Sequence, residues 1–366
     1  MTAAEQQLVD QATTIREGEE LDIKVLSDYL SEQVPEINGT VSIEQFPAGF
    51  SNLTYLVSFG DVSSGEGKWV LRRPPFGSKV KSAHDMGREY RVLNGLHKVF
   101  PYAPQPVVFC QDHDILGCDF YMMKYVKGLI IRNQYPEGLN LTNEQVRQQF
   151  INWLDVLCDL HAVDYQAVGL GELGRPDGYV RRQVEGWSKR YTAAITPDDI
   201  PTFEHTIQWL HDKMPAESDK VGIIHNDYKM DNVIWSLDDP LKLIGVLDWE
   251  MCTLGDPLMD LGSTLGYWAD RDDPEIFRNL AAMPTTHPGA PTRQELVDRF
   301  GENLGVSVDN FDFYFCFGLF RLAGIGQQIY KRYYDGVTKD HRFARMKDKI
   351  NSLNFMCEKV INETDL

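Results

Sequence analysis

A chain of 366 residues, 43% hydrophobic and 25% charged, has the composition of a globular protein and the length for two lobes around a buried core. Its net charge of −18 disfavours nucleic acid, which wants a basic face, and no run approaches the roughly 18 apolar residues of a membrane helix. The acidic stretch Met1 to Asp22 shows no signal-peptide pattern, and the six scattered cysteines contain no Cys-x-x-Cys pair, so a reducing cytoplasm is expected.

Residues 1–40 read as an N-terminal helical cap, with Leu21, Val25, Leu26 and Leu30 on one side. Residues 41–126 read as a strand-rich, nucleotide-binding lobe. Val41 to Phe46 is one strand and Leu53 to Phe59 the next, joined by Pro47-Ala48-Gly49-Phe50-Ser51-Asn52. A small glycine-containing turn of this kind can lie over phosphates and donate backbone N–H groups. A third strand, Trp69 to Arg72, ends in two arginines, and strand alternation sends Arg72 and Arg73 to opposite faces. His84 to His97 has helical spacing, with Met86, Tyr90, Leu93 and Leu96 on one face and Glu89 in the middle. Residues 68–98 carry eight Lys/Arg against two acids, a local excess of +6 that suits phosphates, an anionic acceptor or a solvated face.

Phe120 to Val126 is an apolar strand leading into Lys127-Gly128, and residues 127–366 read as a larger, mainly helical lobe. Thr142 to Gln145 has capping-box character and opens a helix that ends at His161, read as a structural histidine. Val180 to Ala194 is a further helix carrying Arg181, Arg182 and Trp187. Asp256-Pro257 begins another, and Thr292–Gly301, Phe311–Tyr334 and Phe343–Val360 follow.

The most informative stretch is 222–250. Val221 to Ile224, Val233 to Trp235 and Leu241 to Leu247 read as short buried strands, with Asp238-Asp239-Pro240 turning the second against the third. Asp227, Asn232 and Asp248 then stand at strand ends, with Lys229 between the first two. Phosphoryl transfer from a nucleotide needs such a set. One carboxylate orients the acceptor hydroxyl and accepts its proton, while a carboxamide and a second carboxylate hold Mg²⁺.

His225-Asn226-Asp227 followed by Asn232 resembles the kinase catalytic loop, and Asp248-Trp249-Glu250 stands where protein kinases carry Asp-Phe-Gly. The wording from Ile223 to Gly262 is similar to the aminoglycoside phosphotransferase and choline kinase group, closest to the branch associated with acyl-CoA dehydrogenases. The resemblance covers roughly residues 41–335 and implies an α+β, protein-kinase-like bilobal fold with ATP bound between the lobes. It implies Asp227 as catalytic base, with Lys229 steadying the transferring group, and Asn232 and Asp248 as Mg²⁺ ligands. Arg72 stands at the place of the phosphate-binding lysine, paired with Glu89. Gly49, Ser51 and Asn52 match a nucleotide-covering turn, and the backbone of Lys124 to Val126 would meet adenine. Asp260 resembles the aspartate that braces the catalytic loop.

Only eleven residues separate Asp248 from Asp260, which leaves no room for a protein-kinase activation segment and points to a small-molecule hydroxyl acceptor. The dehydrogenase-associated branch suggests a hydroxyacyl thioester or hydroxy acid, and the wider group an aminoglycoside, amino alcohol or sugar. Arginine in the lysine position leaves a nucleotide-binding pseudokinase as the alternative.

Overall fold

The computed structural model describes residues 9–34, 40–47, 52–60, 67–76, 84–216, 220–338 and 340–366. Gly49 and Ser51 lie outside the described residues. The strands, in chain order, are β1 (Val41–Gln45), β2 (Leu53–Phe59), β3 (Lys68–Arg73), β4 (Pro106–Cys110), β5 (Phe120–Lys124), β6 (Gly222–Ile224), β7 (Val233–Trp235), β8 (Leu243–Val246) and β9 (Thr253–Gly255). The helices begin with α1 (Ile23–Gln33), α2 (Met86–Leu96), α3 (His113–Leu116), α4 (Asn143–Ala162), α5 (Tyr179–Ala194) and α6 (Glu204–Asp212). They continue with α7 (Pro257–Leu265), α8 (Glu275–Arg278), α9 (Arg293–Leu304), α10 (Phe311–Tyr334) and α11 (Met346–Glu363). None is both long and apolar enough to cross a membrane among the described residues. The α+β class expected from the sequence is the class observed.

Two compact units result. The first comprises Met1–Ile130, Gln166–Leu173 and Asn232–Cys252. Its centre is an antiparallel sheet of order β1-β2-β3-β5-β4, built from β-branched and aromatic residues that fit a pleated, half-buried surface. The register sets Thr54 opposite Arg72 and Arg72 opposite Tyr121. Helix α1, capped by Asp22 accepting from the Val25 N–H, buries Leu26 and Leu30 in one cluster with Val57, Trp69, Leu71 and Phe120. Helix α2, capped by Asp85, buries Met86, Val92, Leu93 and Leu96. The hairpin β7–β8 belongs to this unit, with Val233 opposite Val246, as the Asp238-Asp239-Pro240 turn predicts.

The second unit comprises Ile131–Tyr165, Gly174–Asp231 and Thr253–Leu366. Helix α4 starts with the expected capping box, Thr142 with Gln145, and α7 starts at Asp256 with Pro257 in its first turn. Strand β6 pairs with β9, Gly222 opposite Gly255. A three-residue strand such as β9 carries too little periodicity to be read from sequence.

Helix α10 is buried along most of its length and packs on α5, α7 and α11. Its crossing with α7 is made by glycines. A Cβ on Gly318 would fall 2.0 Å from the Gly262 carbonyl oxygen, and one on Gly262 would fall 2.2 Å from that of Tyr314. Both obstacles are backbone, so no side-chain adjustment relieves them. Gly318→Ala should therefore force the two helices apart and cost about 1–3 kcal/mol of stability, read as a lowered midpoint of urea unfolding.

Candidate active site

In the second unit, β6 delivers the chain into His225-Asn226-Asp227, and Asn226 turns it at φ 65°. A non-glycine residue in the left-handed region costs roughly 1–2 kcal/mol, so surrounding contacts must hold it there. Asp260, in the first turn of α7 and fully buried, supplies them. Its carboxylate accepts from the His225 N–H and the Asn226 N–H, both at 2.7 Å, and lies 2.9 Å from His161 Nε2. Burial pushes the Asp260 carboxyl up, but the hydrogen bond and charge of His161, with His225, outweigh it and hold the group below its ordinary value. Arg321 of α10 donates from Nη2 to the Asn226 carbonyl at 2.8 Å, and the Tyr179 hydroxyl of α5 donates to Asn226 Oδ1 at 3.3 Å. Three helices thus hold Asn226, the residue before Asp227, two through its backbone and one through its side chain.

Both oxygens of Asp227 have partners. Oδ1 accepts from the Tyr267 hydroxyl at 2.9 Å, and Oδ2 lies 3.3 Å from Lys229 Nζ. Lys229 is also 3.8 Å from Asp231 and 5.2 Å from the centre of the Tyr267 ring. Burial would lower the Lys229 ammonium, but Tyr267, Asp227 and Asp231 raise it well above its ordinary value, so it stays charged at neutral pH. Burial and the Asp227 carboxylate push the Tyr267 phenol up, which keeps it a hydrogen-bond donor.

In the first unit, the β7–β8 ladder continues one step beyond the strands. The Leu247 N–H donates to the Asn232 carbonyl at 2.8 Å, which brings Asn232 and Asp248 to the same end of the hairpin. Asp248 has φ 66°, a second left-handed non-glycine residue in the motif. Its side chain is 34% exposed and is held by Arg72, Nη2 to Oδ1 at 3.1 Å. Arg72 Nη1 lies 3.2 Å from Glu89 Oε2, and Glu89 is 1% exposed. Glu89 also accepts from the Tyr121 hydroxyl at 2.8 Å and from Asn52 Nδ2 at 3.2 Å. Burial pushes the Glu89 carboxyl up against the pull of Arg72. Burial would lower the Arg72 guanidinium, but Glu89, Tyr121 and Asp248 raise it, so it is always charged.

The remaining expected residues are distributed as follows. Asn52 is buried, bonded to Glu89 and, at 2.9 Å, to Glu250, with His84 Nδ1 2.9 Å from its Oδ1. Lys124 points its side chain to solvent, and its N–H is spent on the Gln105 carbonyl. Val126 is half-buried, its side chain close to Gly245. Arg73 takes the opposite direction from Arg72, its guanidinium 3.7 Å from the centre of the Phe76 ring.

Asn232 and Asp248 provide hard oxygen donors, one neutral and one anionic and partly open to solvent. That set fits Mg²⁺, which keeps several waters and needs few protein ligands. Sequence reasoning missed Tyr267, Tyr121 and Glu250. Each acts through a tertiary contact with no local signature, although Glu250 lies two residues from Asp248.

The Asp260 carboxyl, being depressed in the fold, contributes stability that is present above the ordinary carboxylate pKa and lost as the pH falls through the folded value. Asp260→Asn should lower stability at neutral pH by roughly 3 kcal/mol and flatten the acid limb below about pH 4, as followed by thermal unfolding against pH.

Residues 42–296 match the phosphotransferase enzyme family. Acyl-CoA dehydrogenase family member 10 of Mus musculus is 36% identical over 296 residues, which cover 80% of this chain and 27% of that protein. The chain spans less than half the length of the curated relatives it matches. A solved structure from Ralstonia eutropha, proposed to be an aminoglycoside phosphotransferase, is 28% identical with a TM-score of 0.80 over 95% of this chain and 100% of that one. The GDP complex of aminoglycoside 2′-phosphotransferase-IIIa shares the fold at 16% identity, with a TM-score of 0.59 over 94% of this chain and 100% of that one.

Proposed function

Because the chain belongs to the phosphotransferase enzyme family and is a small-molecule kinase, we propose that it moves the γ-phosphoryl group of Mg-ATP to a hydroxyl of its acceptor. The observation that carries this reading is the state of Asp227: a carboxylate fixed on a clamped loop, with one oxygen on a phenol and the other beside an ammonium. Asp227 orients the acceptor hydroxyl and takes its proton. The hydroxyl oxygen forms a bond to the γ-phosphorus as the bond from that phosphorus to the β–γ bridging oxygen breaks, and ADP leaves with the electron pair. Lys229, beside Asp227, would balance charge on the transferring group. Asn232 and Asp248 would hold Mg²⁺, which when bound supplies charge neutralisation at the phosphate oxygens. Most of the rate then comes from positioning and fixed charge.

Arg72 would contact the α- and β-phosphates with Glu89 as its brace. Its arginine identity suggested a pseudokinase, yet Nη1 and Nη2 reach Glu89 and Asp248 respectively, so the guanidinium bridges the two carboxylates from the lysine position. This supports a working site over the alternative. The turn with Gly49, Ser51 and Asn52 would cover the phosphates, and adenine would be met by the backbone groups of Lys124 to Val126 other than the Lys124 and Tyr125 N–H groups, which the Gln105 and Lys68 carbonyls already accept. The GDP in a related structure makes GTP the natural competitor to test beside ATP. For the acceptor, the name of the Mus musculus relative directs the first trials to hydroxylated acyl thioesters and hydroxy acids, with aminoglycosides and amino alcohols after them. All six cysteines are free thiols, in keeping with a cytoplasmic setting.

A coupled ADP-release assay across these acceptors tests the reading. Asp227→Ala should lose at least about a hundredfold in turnover while its thermal shift with Mg-ATP persists. A variant that turns over at the parent rate would remove Asp227 from the mechanism.

A further inference from the structure

The second unit contains a cavity of about 320 Å³ whose wall includes Lys229 and Tyr267, the two residues that hold the oxygens of Asp227. The rest of the wall is almost entirely hydrocarbon. Leu322, Ile325 and Ile329 come from one face of α10, Ile350 and Leu353 from α11, and Phe277 from α8. Positions 322, 325 and 329 recur at helical spacing, so they form a continuous stripe. Ile325 and Ile329 are only half-buried, although large aliphatic residues on a helix this buried are ordinarily covered. Among the described residues that line the cavity none is acidic, and its charged members are Lys229 and Lys349.

That chemistry selects an occupant. A polycationic sugar needs carboxylates to replace its lost hydration, and the wall's charged members are two lysines, of which Lys229 is already paired with Asp227 and Asp231. A saturated carbon chain loses nothing by leaving water and gains for every methylene covered. We propose that this cavity is the acceptor's tail site: it takes an aliphatic chain that bears the reacting hydroxyl near Lys229 and Tyr267, and its walls on α10 and α11 set the longest chain admitted. The inference rests on the phosphoryl-transfer reading only for the role of the hydroxyl, since the cavity and its lining stand without it. The volume is roughly twice that of an apolar cavity that accepts benzene, which corresponds to on the order of ten carbon atoms. Gly326 contributes to that capacity. A Cβ at this position would already lie 3.4 Å from Ile350 Cγ1, so any larger side chain would occupy the space between α10 and α11.

Titration calorimetry with straight-chain hydroxyalkanoates and secondary alcohols of increasing length, against the full chain, tests this directly. Affinity should rise about fourfold per added methylene until the cavity is full, then level off or fall at a length of roughly ten carbons. Ile329→Trp, at a half-buried wall position, should bring that ceiling down by several carbons, and Ile325→Trp should do the same if the first variant fails to fold. Affinity indifferent to chain length, or a ceiling unmoved in a folded tryptophan variant, would overturn the tail site. The two readings fail separately. Length-dependent binding without ADP release would support the tail site and defeat phosphoryl transfer. Turnover of a polar acceptor at a rate untouched by either tryptophan would do the reverse.

Discussion

The second unit depends on one buried carboxylate. Asp260 spends its negative charge on two consecutive backbone N–H groups and a histidine, and that is what holds Asn226 in a conformation its own sterics oppose. Bonds from a carboxylate to backbone donors are charge-assisted and, away from water, are not exchanged for solvent. The loop therefore arrives at Asp227 with its direction already decided, and the Asp227 carboxylate is met there by Tyr267 and Lys229.

The first unit solves a parallel problem with a different device. Asp248 also sits in the left-handed region, but the group that holds it is a guanidinium from β3, itself braced by Glu89 from α2. The brace is buried and saturated with donors from Tyr121 and Asn52, whereas Asp248 keeps a third of its side chain open. Burial thus separates two carboxylates on the same arginine into a permanent partner and an exchangeable one. A cation or phosphate could displace the contact to Asp248 far more readily than the contact to Glu89.

What was legible in the sequence was whatever short-range spacing encodes. Asn232 and Asp248 flank one end of a hairpin because the apolar runs Val233–Trp235 and Leu243–Val246 and the turn between them are local features. The same holds for the Thr142 capping box and the Asp256-Pro257 helix start. Strand alternation, together with the match to the kinase lysine, was enough to choose Arg72 over Arg73 as the partner of Glu89, while the contact of Arg72 with Asp248 was not foreseen. What could not be read depends on contacts between distant segments. Tyr267 reaches Asp227 across forty residues, and Asn52 reaches Glu250 across 198. No periodicity or propensity records such pairs. The glycines of the α7–α10 crossing were equally silent, because a helical glycine reads as a weak point until the neighbouring backbone is seen.

Helix α10 has a consequence for how such a protein can change over generations. One side of it presents Arg321 to the loop before Asp227 and Gly324 to the Trp187 ring. Another presents Leu322, Ile325 and Ile329 to the cavity. The helical repeat keeps these two duties on separate residues of a single rigid rod. Substitutions on the cavity stripe leave Arg321 in place but reshape a wall that also contains Lys229 and Tyr267, so a change in what the cavity holds is felt at the two residues that meet Asp227.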